Sequence, residues 1–465
     1  MWHKKASSYR MGLSYLGSFS LQDNTTTTVV KKPSFISSLP FYYGWVILVV
    51  GGIGVLASIP GQTMGVSVFT DHYIKDLSLT RVGVSGSYMI GTLASSLIIP
   101  FAGIFYDRKG ARLTAGLSTF FLGIFLLLLA FSKTIVGTLS SSFSLPPQVV
   151  TMIVLTLGFF GIRFFGQGVL TLVARGMVAR WFSSRRGLAV GLMGLVTAFG
   201  FSYAPQPLQR LIDSLGWSGA LVALASLLLV VFLPLFILTF RSDPASCSME
   251  MEQGMALRKQ SSKTSIGDAV QQKDIAQVRK EGGFWLILLA MGFSALFTTA
   301  FTFHVVSIFS EFGQTAQEAV SIFLPISVIS VIARFGGSYL SDRFPIKGLF
   351  VVFAISLFLT SLFLVFFSIP LVRLLFLLSY GTASGLFGML NIVTWPKLYG
   401  RKHIGAISGF AMSIVVAGSA LGPWFFSLVY DLFGSYKNAG LGGAAFTLIL
   451  TITLVFTKFR HVEAE

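Results

Sequence analysis

Two arginines stand inside long apolar runs, in Ile162-Arg163-Phe164-Phe165 and Ile332-Ala333-Arg334-Phe335. An arginine at the middle of a bilayer costs roughly 2.5–3.5 kcal/mol on insertion scales, so it has to face a cavity or a partner. Its guanidinium is a planar fork of donors that matches a carboxylate with two parallel bonds. Arg334 therefore suits the carboxylate of a bound anion. A structural pair, or snorkelling to a helix end eight residues (~12 Å) away, is the other use. The lack of an acid at comparable depth in the second half of the chain favours the bound anion. Arg163 is followed four residues on by Gln167, on the same helical face, and the pair fits a ligand or a structural contact equally well.

Fewer uncharged groups could do chemistry. His304, near the end of an apolar run, is the side chain that titrates near neutrality and so a candidate for proton coupling, though a hydrogen-bonded histidine inside a bundle is the commoner case. Gln62 and Asn391 lie at plausible cavity depth, either touching substrate or bonding helix to helix. No Ser/His/Asp set, phosphate loop or Cys/His cluster with metal spacing occurs, so the expectation is no catalytic residue, no metal and no cofactor. The single cysteine, Cys247, cannot form an internal disulfide.

The elements that must position these groups are membrane spans. Hydrophobic residues make up 54% of the chain and charged ones 11%, against roughly 25% charged in an ordinary globular protein. Twelve apolar segments are expected at 44–68, 82–105, 112–131, 149–174, 187–208, 217–240, 284–308, 317–340, 348–369, 371–394, 404–430 and 438–457. With the N-terminus in the cytosol, cytosolic segments carry 26 Lys and Arg and external ones 6. That bias places both termini in the cytosol. The net charge of +17 then orients helices and gives no reason to expect nucleic acid.

Residues 1–40 are polar and lack a cleavable apolar core, reading as a disordered cytosolic tail. The polar stretch 241–283 is a cytosolic linker dividing the chain into six-helix halves at 41–240 and 284–458, with a tail at 459–465. The halves echo each other. Gly103-x-x-x-Asp107-Arg108-Lys109-Gly110-Ala111-Arg112 follows the second span, and Ser338-x-x-x-Asp342-Arg343 follows the eighth. Glycine-rich starts to the fifth and eleventh spans, including Gly191, Gly194, Gly405 and Gly418, suggest close helix contacts. Two parallel halves around a midplane site are a secondary-transporter architecture.

The stretch Gly103–Arg112 resembles the loop signature of the major facilitator superfamily. That resemblance implies a gating clamp in which Gly103, Asp107, Arg108 and Arg112 tie helix ends together, with Asp342 and Arg343 as the second copy. A narrower resemblance, to the oxalate:formate antiporter and monocarboxylate transporter groups, rests on four stretches. They are Phe41-Tyr42-Tyr43-Gly44-Trp45, Ala174-Arg175 through Trp181-Phe182 to Arg186-Gly187, Leu421-Gly422-Pro423, and Arg334 eight residues before Asp342. It implies that Arg334 binds a substrate carboxylate. The chain departs from those groups in having Ser330 where proton-coupled members carry an aspartate. It also lacks a lysine around Gln62 and between Ile404 and Tyr436.

The expected protein is thus an all-α, twelve-helix membrane protein of the plasma (inner) membrane. It would be monomeric and move a small organic anion, a monocarboxylate by resemblance, using Arg334, Arg163, Gln167, Gln62 and Asn391. A proton-driven exporter of amphipathic compounds is the alternative within the fold, suggested by Arg163 and the 14% aromatic content. A nutrient sensor that binds without transporting is the alternative outside transport.

Overall fold

A backbone in hydrocarbon must satisfy its own polar groups, so each long apolar run closes into a helix. The computed structural model describes residues 41–182, 186–247, 249, 273–341, 343–399 and 404–457. The expected N-terminal tail, most of the expected linker, Asp342 and the expected C-terminal tail lie outside these described residues. Among those described, ten helices are long and apolar enough to cross a membrane. One of them, Gly191–Thr239, contains two crossings, and the shorter Gly44–Ala57 completes the set of twelve.

Helix α1 is Gly44–Ala57. Residues 81–109 and 111–130 form α2 and α3, separated by Gly110, whose φ of 81° only glycine adopts cheaply. Helix α4 runs through Pro147–Gly161, a π-helical stretch Ile162–Leu170, and Thr171–Trp181. Helices α5 (186–215) and α6 (217–239) are likewise separated by Gly216, with φ 69°. The second half contributes α7 (Gly282–Phe303), α8 (316–341), α9 (Ile346–Val365), α10 (Pro370–Tyr399), α11 (Ile404–Phe433) and α12 (Lys437–Phe456).

The duplication read from the sequence recurs in the packing. In the first half α1 packs on α5, α2 on α4 and α3 on α6; in the second, α7 packs on α11, α8 on α10 and α9 on α12. The halves meet where α2 lies on α11 and α5 on α8. Helices α7 and α11 meet backbone to backbone. A Cβ on Gly418 or Gly422 would come within 2.4 Å and 2.2 Å of the carbonyls of Gly292 and Leu296.

Four features depart from the sequence reading. The first span does not continue as one helix through 68; after Ala57 it breaks into short turns, Ile59–Gly61, Thr63–Ser67 and Thr70–Asp76, because Pro60 lacks an N–H. The fourth span extends to Trp181 rather than stopping at 174, bringing Arg175 and Arg180 into the helix. The segment between the third and fourth spans carries a helix, Ser132–Phe143. Gly191 and Gly194 face open space, so they are not the helix contacts expected of them.

Candidate central site and its two ends

The start of α1 and the ends of α4 and α6 meet at one face of the bundle, where Tyr42 Oη donates to the Trp181 carbonyl and Tyr43 Oη to that of Thr239 (3.0 Å). This is called the terminus-bearing face below, and the opposite one the far face.

Arg334 sits on α8, seven residues before its terminus-side end at Ser341, and is exposed. Helix α10 makes room for it with glycines. A Cβ on Gly385 would lie 2.3 Å from the Ser330 carbonyl, and one on Gly388 would lie 2.2 Å from Arg334 Nη2. Helices α8 and α10 are therefore in backbone contact, and the guanidinium lies across the bare backbone of α10. Among the described residues Arg334 has no ion-pair partner. Asn391, three residues beyond Gly388 on the same helix, is half-buried.

Arg163 is placed quite differently. It is 2% exposed. Its Nη1 donates to the Gly61 carbonyl (3.2 Å) and to Thr63 Oγ1 (3.4 Å), and the guanidinium lies 5.2 Å from the Tyr88 ring centre. Gly61 permits this, since a Cβ there would be 2.1 Å from the Ile162 carbonyl. Arg163 thus ties the broken end of α1 to α4. Gln62, also buried, donates to Ser58 Oγ (3.0 Å) and Thr171 Oγ1 (3.4 Å), the interhelical use of such a group. Gln167 is half-buried one turn from Arg163.

At the far face the halves are latched. Arg81 Nη1 donates to Asp71 Oδ1 (3.2 Å) and to Ser307 Oγ of the second half, and Ser307 Oγ donates back to Asp71 Oδ1 (2.6 Å). The Arg81 guanidinium stacks 5.0 Å from the Tyr430 ring and 6.0 Å from Tyr436. Burial raises the Tyr436 phenol pKa above its ordinary range. One layer further in, Tyr88 meets Phe303 across the halves at 4.7 Å. His304 is buried beside this latch, its Nε2 bonded to the Pro423 carbonyl (2.8 Å) and Ser427 Oγ (3.1 Å). Among the described residues, the hydrogen bonds that join the halves all belong to this latch.

At the terminus-bearing face each half is tied within itself. Asp107 accepts from Arg180 Nη2 of α4 (2.5 Å), and Arg180 in turn lies 4.5 Å from the Tyr106 ring. The partner of the acid is therefore Arg180 rather than Arg108 or Arg112, both of which are exposed. Arg112 stands close enough to Arg241 to join burial in lowering that side chain's pKa. Gly103 is half-buried with open space where a Cβ would be, so it is no close-contact glycine. In the second copy Arg343 stacks on Tyr339 (4.2 Å), while Asp342 is outside the described residues. Among the described residues no group of His, Cys, Asp or Glu is arranged to hold a metal ion.

The sequence profile of the Major Facilitator Superfamily matches residues 51–423. The chain belongs to that superfamily. The solved structures that this major facilitator protein resembles agree on the fold. One is a bacterial homologue of the human lysosomal transporter Spinster, inward-facing and unoccupied (TM-score 0.62, 15% identity, 89% of this chain and 94% of the other covered). Another is the nucleoside transporter NupG (0.62, 14%, 89% and 100%), and a third the inward-open xylose transporter XylE from E. coli (0.59, 15%, 90% and 98%). No curated protein sequence matches significantly. Family and fold make this a multi-pass membrane protein and point to a transporter rather than an enzyme.

The sequence reading missed three features of this major facilitator site: Arg180 as the partner of Asp107, the Asp71–Arg81–Ser307 latch, and Arg175. Arg175 had a signal. Arg163, Gln167, Thr171 and Arg175 recur every four residues, the spacing of one helical face, but ending the span at 174 left Arg175 in a loop.

Proposed function

We propose that this protein moves a small organic anion across the plasma (inner) membrane by rocking its halves, 41–240 and 284–458, around Arg334, with the linker 241–283 and both termini in the cytosol. The observation that carries the reading is Arg334: a charge at span depth, exposed beside bare glycine backbone, with no ion-pair partner among the described residues to neutralise it. Cargo bringing its own negative charge supplies the missing partner. A monocarboxylate is the smallest cargo that does so, matching the resemblance of Arg334-x-x-Gly337-x-x-x-x-Asp342.

The latch at the far face, with no such bond between the halves among the described residues of the other, favours an inward-open resting form with the terminus-bearing face cytosolic. Every described acid lies within about two turns of a helix end or break, or in a loop, so no described span interior offers a carboxylate for proton coupling. Exchange or facilitated diffusion follows. The protein acts as a monomer in the lipid bilayer.

The test is flux of labelled carboxylates into reconstituted vesicles, with Arg334→Lys and Arg334→Ala. Uptake should fall in both, since a point charge cannot reproduce the fork. Wild-type uptake by Arg334→Ala would sink the reading. Carboxylate binding without flux in the wild type would mean a sensor instead.

A further inference from the structure

At the terminus-bearing end of the second half, the last turns of α8 and α12 and the first turns of α9 enclose a groove of about 640 Å³. Its walls are apolar: Leu340 and Phe344 from the α8–α9 turn, Leu349 and Val352 from α9, and Val455 from α12. Gly348 floors it, with open space where a Cβ would be. Among the described residues Lys347 is the one polar side chain that lines it. Its Nζ donates to the Val455 carbonyl (2.8 Å) in the last turn of α12 and has no ion-pair partner among the described residues. An ammonium carries three donors, so one bond does not saturate it. Arg343, beside Phe344 on the turn, is exposed, its guanidinium 4.2 Å from the Tyr339 ring centre.

The depth of these groups matches a lipid molecule. Lys347 stands immediately before the apolar run 348–369, where hydrocarbon gives way to headgroups, and Val352 lies ~8 Å deeper along α9. The groove therefore opens at headgroup level and runs inward along exposed apolar side chains, Val352 and Val455.

The first half shows the same place already filled. Asp107 to Arg112 and Asp342 to Lys347 are matching stretches, so Lys347 stands where Arg112 does. There the chain leaving α6 folds back over the α2–α3 turn: Ser242 Oγ accepts from Ala111 N (2.8 Å), and Cys247 is buried in the core of that half. At the α8–α9 turn Arg343, Phe344 and Pro345 are instead exposed. The chain leaving α12 begins Lys458-Phe459-Arg460, whose charges are repelled by Lys347 and Arg343, so it is the poorer occupant.

We propose that this groove holds an anionic phospholipid, its phosphate on Lys347 and Arg343 and one acyl chain along Leu340, Val352 and Val455. An acyl chain gains little by leaving bilayer hydrocarbon for an equally apolar groove, so the headgroup makes the selection. A cation at the membrane surface favours an anionic lipid by about fivefold. The lipid belongs to the leaflet at the terminus-bearing face, the cytosolic one on the reading above, and the site does not depend on the cargo.

The experiment uses the full-length protein in vesicles and two photoreactive lipids with a diazirine in the acyl chain, phosphatidylglycerol and phosphatidylcholine. Labelling of residues 340–352 and 455 is read against the lipid-facing side of α6, at Val230 and Leu238, which reports lipids in passing contact. In the wild type phosphatidylglycerol should label the groove about fivefold more than phosphatidylcholine. Lys347→Gln keeps an N–H for the Val455 carbonyl and should bring that ratio to within about twofold of one; Lys347→Arg should keep it. Gly348→Leu fills the groove, leaves Lys347 in place and should lower labelling by both lipids about threefold or more. Equal labelling by the two lipids in the wild type, or an unchanged ratio in Lys347→Gln, overturns the site. So does unchanged labelling in Gly348→Leu, which decides the matter alone if the glutamine variant misfolds. Soluble glycerol phosphate in excess should leave the label in place; if it abolishes the label, the cations bind phosphate without the groove and the lipid site falls. Groove labelling that appears only after deletion of 458–465 makes the tail the occupant and also overturns it. Absence of anion flux would sink the transport reading and leave this site standing.

Discussion

By sequence, Arg163 of the first half and Arg334 of the other are alike, each an unpaired charge in an apolar run. Their surroundings are opposite. Arg163 directs its Nη1 to the Gly61 carbonyl and Thr63 Oγ1 and lies over the Tyr88 ring, while its buried Nε has no partner. Arg334 lies along glycine backbone and is exposed. A buried charge that is already bonded holds helices together; one whose donors remain open is available to a ligand. Depth alone does not separate the two.

The sharpest way to break this contrast is to remove each charge. Arg334→Ala should lower anion affinity about tenfold to a hundredfold, the value of one charge-assisted contact, while the melting temperature without ligand stays put. Arg163→Ala should do the reverse, costing about 1–3 kcal/mol of stability with affinity in the surviving protein unchanged. Thermal unfolding with and without anion measures both. If Arg163→Ala loses affinity at full stability, the assignment of roles is wrong.

A smaller effect is expected from the groove itself. Gly388→Ala puts a methyl where Arg334 Nη2 lies, so the guanidinium must shift. Affinity should drop about threefold to tenfold, since a misplaced group keeps its charge but loses its aim. A binding isotherm unchanged by this substitution would remove the glycine groove from the site.

The two ends of the bundle extend the comparison to gating. Asp71→Asn removes the acid shared by Arg81 and Ser307 across the halves and should raise the far-side accessibility of an introduced cysteine a few-fold. Asp107→Asn breaks a pair inside the first half whose side chains are 64% and 40% exposed. Exposed pairs contribute about 0–1 kcal/mol, so turnover should slow by at most about fivefold with binding intact. A larger change in the inward-to-outward ratio from Asp107→Asn than from Asp71→Asn would reverse the ranking of latch and clamp.

Much of this was legible before any coordinates. The twelve crossings and the halves follow from residue type and spacing, while the clamp is what the resemblance of Gly103–Arg112 implies, and Gly110 within Asp107-Arg108-Lys109-Gly110-Ala111-Arg112 marks the turn that φ 81° requires. The end of α4 was not legible, because Arg175 and Arg180 look like loop charges by hydropathy yet continue the helix against α1 and α2. The latch was equally hidden. Asp71, Arg81 and Ser307 belong to three separate segments, and no local pattern links them.

By itself the sequence determined that the chain enters a bilayer, how often it crosses and which charges it carries inward, since the cost of burying a residue in hydrocarbon depends on that residue and its immediate run. Only the tertiary structure decided which way each helix is turned. Gly61 against Ile162 seals Arg163, Gly388 bares Arg334, and the contacts of Gly51 and Tyr106 on either side leave Arg175 exposed near the end of its helix. Those rotations are set by contacts between residues far apart in the chain. An arginine inside a span therefore has its cost written in the sequence and its partner written in the packing.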